Sequence, residues 1–154
     1  MHITFPEPRN HPHRFHKFYG EDGLVEFIKK TTSCTIYSGS GINYRKENKT
    51  CILNSVDETG YYDDDLSNAN IIEYTLQGLI GNQNLEKICN KNLLDNTKTK
   101  YVYLFRTVKE NNKRIGYIWY GKYKINREKI YTKQHPDKNN NIRTIIIITL
   151  EKIY

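Results

Sequence analysis

Long apolar runs are missing from this sequence of 154 residues. The longest, Ile145–Ile148 with its neighbours, suits a buried strand and falls far short of the roughly eighteen residues that a membrane span needs. No membrane partner is therefore expected. The opening stretch, MHITFPEPRNHPHRFHKFYG, lacks the basic-then-apolar order of a secretory signal. An intracellular location is expected: the nucleus for a eukaryotic chain, the cytoplasm, nucleoid or a viral replication site otherwise. Cysteine is scarce. Cys34, Cys51 and Cys89 are odd in number, widely spaced and never arranged as C-x-x-C. That excludes a disulfide framework and a thiolate zinc site, and predicts reduced, buried thiols. His11, His13 and His16 have no cysteine or carboxylate set beside them to complete a metal site, and His135 reads as a loop residue. There is no Gly-rich phosphate loop, no Ser-His-Asp order and no pair of catalytic carboxylates outside one acidic stretch. Neither an enzyme nor a cofactor is indicated.

What the chain has is positive charge, unevenly placed. The formal net charge is +7, and lysine outnumbers arginine 17 to 7, a bias that an A+T-rich genome produces. Residues 74–154 carry sixteen Lys/Arg against six Asp/Glu, whereas residues 1–56 carry eight against five. A one-sided excess of this kind is the footprint of a protein that meets a polyanion, because each cation that reaches a phosphate releases a condensed counterion. The bland alternative is a soluble surface from a lysine-rich proteome.

The length fits one domain. Residues 1–20 are rich in Pro and His without a period and read as an irregular arm; residues 21–154 read as the single domain. GEDGLVEFIKK predicts a short helix, with Leu24, Val25, Phe27 and Ile28 on one face and acids before lysines. NQNLEKICNKNLLDN predicts a second. Strands are predicted at Cys34–Tyr37, in TCILNS, at 71–76, at 100–108, at 115–125 and at 142–154, with KENNKR as a hairpin loop and KQHPDKNNN as a polar loop. Two helices among about six strands, without helix-strand alternation, predict an α+β fold on a curved sheet or barrel.

Against this basic background one stretch is acidic. From Asp57 to Glu73 there are six acidic residues and no basic one, and tyrosines flank the cluster. From the residues alone it can be a turn joining two strands, a weak cation site, or a loop that reads a base. The calcium-loop pattern fails, since neither a glycine at the sixth position nor a glutamate at the twelfth follows from Asp63.

GYYDDDLSNANIIEYT resembles the signature of the SET- and RING-associated (SRA, or YDG) domain, roughly G-Y-x-D-D, a polar turn, an aromatic or aliphatic pair, then x-Y-T. Tyr62, Asp64, Asp65, Asn70, Ile71, Ile72, Tyr74 and Thr75 fall on its positions without a gap. Further likenesses follow in order: Ser40-Gly41-Ile42, Asn82-Gln83, Asn90 to Leu93, Arg106-Thr107-Val108, and Tyr117 to Ile125. The likeness spans about residues 36–127. Two departures stand out. The segment LQGLIGN replaces a long finger loop, and Trp119-Tyr120-Gly121 stands where the name-giving motif has Asp in the middle.

The resemblance implies an SRA/PUA-like fold: a curved, partly closed β-barrel with about two flanking helices. It implies a non-catalytic reader of double-stranded DNA containing 5-methylcytosine or a related modified cytosine, which flips the base out of the duplex. Tyr62 and Tyr74 would sandwich the base, Asp65 would accept from its N4 amine with Asp64 beside it, and backbone groups near Thr75 would meet its acceptors. Arg45, Lys46 and Lys49 fall in the stretch expected to touch the DNA backbone or fill the gap, with Lys113 and Arg114 as further backbone contacts. A nuclease or chromatin-type partner, the recognition part of a modification-dependent restriction nuclease, and an RNA-binding PUA-like protein are the alternatives in this class.

Overall fold

The computed structural model describes residues 13–37, 41–56, 64–76, 82–84 and 87–153. In chain order the elements are β1 (His13–Phe15), α1 (Leu24–Thr32), β2 (Ile42–Arg45), β3 (Thr50–Ser55), β4 (Ile71–Thr75), α2 (Ile88–Leu94), β5 (Tyr101–Glu110), β6 (Lys113–Pro136) and β7 (Ile142–Lys152). The strands form one seven-stranded sheet in the order β2-β3-β5-β6-β7-β4, with β1 paired to β6 off this path. All pairs are antiparallel except β3 with β5. Those two need a long crossover, which β4 and α2 supply.

Both faces of the central strands are covered. Cys51, Leu53, Val102, Leu104, Ile118 and Tyr120 join Ile42, Ile72, Tyr74, Ile148 and Leu93 in one buried cluster. Every strand of the main path and α2 therefore contribute to the same core, which requires the sheet to curl around it. Ile52, Phe105, Tyr117 and Trp119 alternate onto the outer face and meet Leu24 and Ile28 of α1. This double burial is why all six residues of β3 are buried.

The expected curved, partly closed barrel is met only loosely: among the described residues the ladder does not close. Its two edge strands, β2 and β4, are instead bridged by a side chain, with the Tyr74 hydroxyl donating to the Gly41 carbonyl at 2.9 Å. The same carbonyl accepts the Asn54 N–H at 2.9 Å, so Gly41 ties together β3 and both edges.

Four local expectations also change. Cys34–Tyr37 has the burial alternation of a strand, with Cys34 and Ile36 in the outer core, but no ladder partner among the described residues. The Arg45 side chain, not a neighbouring strand, takes the Thr35 carbonyl. The second helix is confined to Ile88–Leu94, because Gln83 upstream is bound into the sheet, donating to the Leu76 carbonyl at 2.6 Å and accepting from the Ile146 N–H at 2.7 Å. β6 runs on past the expected end at 125 and takes in the first four residues of the expected polar loop, to Pro136; residues 128–134 are exposed on both sides, so no apolar alternation announced it. The segment read as an irregular arm adds β1, pairing His13–Phe15 with Tyr117–Trp119. All three cysteines are free, with Cys34 and Cys51 buried, and burial pushes the Cys51 thiol up to about 11.

Candidate functional site

The acidic turn lies along the free edge of β4. Asp65 and Glu73 exchange both backbone hydrogen bonds, at 3.0 and 3.1 Å, as a two-residue bridge. Inside the turn Ala69 is buried, and its carbonyl accepts the Tyr123 hydroxyl at 2.6 Å. Asn68 closes the tip by accepting the Asn70 N–H at 3.0 Å. The turn is therefore held at its neck and its tip, which fixes where its carboxylates point.

Those carboxylates differ. Asp64 Oδ1 accepts the Thr75 N–H at 2.7 Å, and Oδ2 accepts the Ser55 hydroxyl at 2.5 Å. With both oxygens engaged, Asp64 is a cross-link from the end of β3 to the edge of β4. Asp65 is exposed. Its Oδ1 accepts the Ser67 N–H at 3.0 Å and the Ser67 hydroxyl at 2.7 Å. These bonds hold its carboxyl below the usual carboxylate range, the hydroxyl contributing most. Its Oδ2 has no hydrogen-bond partner among the described residues. Asp65 thus offers a charged acceptor of fixed orientation, with one oxygen open.

Around this pair the sheet adds three groups. The Tyr74 ring is buried among the inner core, anchored through its hydroxyl at Gly41. Thr75 is 4% exposed, and its hydroxyl is buried with no hydrogen-bond partner among the described residues. Arg106 pairs in register with Ser55, so the two side chains leave the sheet on the same face. Arg106 also hydrogen-bonds Tyr120, whose phenol burial pushes up. Ser55, Arg106 and Tyr120 were not among the site residues expected from sequence. Ser55 sits at the end of an apolar strand with no motif to mark it, and Tyr120 occupies the departed YDG position. Gly121 beside it has φ +106, which a side chain resists, and it sits at a register shift between β5 and β6.

The structure brings Asp64, Asp65, Tyr74 and Thr75 together; Tyr62 lies outside the described residues. The expected backbone contacts do not gather beside them. Thr50 to Ser55 spans about 17 Å at strand rise, so Lys46 and Lys49, exposed at the β2–β3 tip, lie toward the far end of β3. Arg45 is engaged there by the Thr35 and Tyr44 carbonyls. Lys113 and Arg114 lie the other way, at the β5–β6 turn, about 13 Å beyond Arg106 along β5. The two basic sets bracket the acidic turn. No cluster of three or more His, Cys, Asp or Glu among the described residues is arranged to hold a metal.

A family model described as "ScoMcrA-like, SRA domain" matches residues 26–153. A search of curated proteins found no match. Among solved structures, the chain is similar to the SUVH5 SRA domain in complex with fully methylated CG DNA, with 21% identity, a TM-score of 0.51, and coverage of 83% of this chain and 82% of that one. It is similar to the MspJI restriction endonuclease in complex with a 27-mer oligonucleotide, with 13% identity, a TM-score of 0.66, and coverage of 94% and 43%. It is also similar to the sulfur-binding and SRA domains of ScoMcrA complexed with phosphorothioated DNA, with 14% identity, a TM-score of 0.57, and coverage of 96% and 40%. The chain spans less than half of the MspJI and ScoMcrA chains.

Proposed function

The chain belongs to the family of ScoMcrA-like SRA domains, and on that premise we propose that it binds duplex DNA carrying a modified base, a 5-methylcytosine or related modified cytosine flipped from the stack toward the Asp64–Asp65 turn. The observation that carries this reading is the open Oδ2 of Asp65, whose sister oxygen is fixed by Ser67. A cytosine ring presents an N4 amine as donor, and an ionised, oriented carboxylate is its natural acceptor. Asp64 holds the turn against β3 and β4 so that Asp65 keeps its place. The Thr75 hydroxyl is an additional group waiting for a polar atom.

Extruding a base costs a few kcal/mol, and stacking on an aromatic side chain returns about 1–3 kcal/mol. Tyr62 and Tyr74, at the two signature positions, are the rings for that role. Because Tyr74 is closed over in the structure, its face opens only as the base enters. Lys46, Lys49, Lys113 and Arg114 hold phosphates on either side. Methylated DNA in the SUVH5 complex and phosphorothioated DNA in the ScoMcrA complex support modified DNA as the ligand class.

The test is a competition titration at fixed salt with one duplex bearing cytosine, 5-methylcytosine or 5-hydroxymethylcytosine at a single site. Preference for a modified form is expected. Equal, salt-sensitive binding to all three overturns the reading and makes structured RNA the next probe. A second reading, that the chain serves a modification-dependent nuclease, is favoured by its fit to part of the MspJI chain. Copurification with a nuclease that cuts only the modified duplex tests it.

A further inference from the structure

At the far end of β3 from the acidic turn lies a cavity of about 430 Å³, lined by Ser33, Thr35, Tyr37, Arg45, Glu47 and Asn48. Its size falls within the range of small-molecule sites. Tyr37 is 75% exposed. An aromatic ring this bare is ordinarily left to wander, but here its backbone is pinned, because the Tyr19 hydroxyl donates to the Tyr37 carbonyl at 2.5 Å. The Arg45 guanidinium lies 5.8 Å from the ring centroid. Arg45 is itself oriented by the Thr35 and Tyr44 carbonyls through Nε and Nη1, which leaves Nη2 without a hydrogen-bond partner among the described residues.

We propose that this cavity is a second nucleic-acid site, which takes one unpaired nucleobase stacked on Tyr37. The Asn48 amide and Glu47 carboxylate offer donors and acceptors to its edge, and the free nitrogen of Arg45 faces its phosphate. Every base has a π face, and an aromatic platform beside cations is the usual means of holding a strand without regard to sequence. Lys46 and Lys49 flank the cavity on the same hairpin and keep the local charge positive despite Glu47. The cavity lies most of the length of β3 away from the Asp65 turn and shares with it only the hairpin lysines Lys46 and Lys49, so stacking on Tyr37 goes beyond the reading of a modified base. The same chemistry, a base carrying a phosphate, is presented by a single DNA strand and by a free nucleotide.

The experiment uses the full chain, isotopically labelled, titrated in one arm with a short unmodified single-stranded oligonucleotide and in the other with cytidine monophosphate. Amide shifts at residues 33–37 and 45–48 are expected with the oligonucleotide, and Tyr37→Ala is expected to weaken its binding about five- to 150-fold, the equivalent of one stacked base. Tyr37→Phe retains binding, which separates stacking from any role of the hydroxyl. Because the ring is exposed, Tyr37→Ala keeps the fold, checked by unchanged amide shifts in β5 and β7. Shifts with the oligonucleotide alone assign the site to a DNA strand; saturable shifts with the monophosphate as well assign it to nucleotides generally. No shifts in either arm, or equal oligonucleotide affinity for Tyr37→Ala and the unsubstituted chain, overturns the proposal. The modified-duplex titration reads the other site, so failure of one leaves the other standing.

Discussion

A carboxylate with both oxygens bonded and one with a single anchored oxygen answer substitution differently. Asp64→Asn replaces an acceptor with a donor opposite the Thr75 N–H or the Ser55 hydroxyl. Losing a bond to a charged group costs about 1.5–3 kcal/mol, so thermal unfolding should shift down and DNA binding should fall with it. Asp65→Asn leaves the backbone bridge to Glu73 intact. Stability should be nearly unchanged while preference for modified over plain cytosine disappears, read by the competition titration; retained preference removes Asp65 from base reading. Thr75→Val removes a buried hydroxyl that has no partner among the described residues. Such a group costs about 1–3 kcal/mol in the free protein, so the variant should melt higher yet discriminate less well. A higher melting point with unchanged discrimination would leave the hydroxyl no part in binding.

The pH response follows from Asp65 as well. Ser67 depresses its folded-state pKa, so its charge and the accompanying stabilisation are present above the unfolded pKa and are lost only as pH falls through the folded value. Discrimination carried by this carboxylate should therefore stay level from neutral pH down to about pH 4. A midpoint near neutrality in titrations across that range would point to another group.

At the scale of elements, the two basic sets give separable salt behaviour. Substituting Lys113 and Arg114 with Gln, or Lys46 and Lys49 with Gln, should each lower affinity for all duplexes and reduce the log–log salt slope by about 1 for each phosphate no longer neutralised. An unchanged slope for either pair places that end of β3–β5 away from the backbone. The β5–β6 hairpin was legible in sequence because Asn111 and Asn112 supply the two left-handed residues, φ +52 and +62, that a tight hairpin demands. α1 was legible from its apolar spacing, and the position of the acidic turn from its motif. Other features depend on what lies across space. Cys34–Tyr37 alternates properly, but pairing needs a neighbour, and an arginine side chain occupies that place. The outer half of β6 has no buried face to give it a period, and among the described residues the contact that joins β2 to β4 is one tyrosine hydroxyl on one carbonyl. The division of labour between Asp64 and Asp65 was equally hidden, since two adjacent aspartates look alike until Ser55 and Ser67 are seen to choose between them.

For the molecule as a whole, the sheet order sets a sequence of events. Among the described residues β4 has one ladder partner, β7, pairing Ile71–Thr75 with Glu151–Ile147, and β7 follows the other described strands in chain order. Contacts so distant along the chain form late, because their loop entropy must be met before they are rewarded. β2 with β3 and β5 with β6 can zip locally as hairpins. Pulse-labelled hydrogen exchange during refolding should therefore find the amide of Leu76, which donates to the Ile146 carbonyl at 2.9 Å, protected together with those of β7 and after those of the β5–β6 hairpin; protection of Leu76 ahead of Ile148 would contradict this order. A nascent chain should accordingly assemble most of its core before the acidic turn is fixed against β4. The edge of β4 on which the acidic turn is hung waits for β7, so the turn proposed to read the base is among the later pieces of the fold to be set in place.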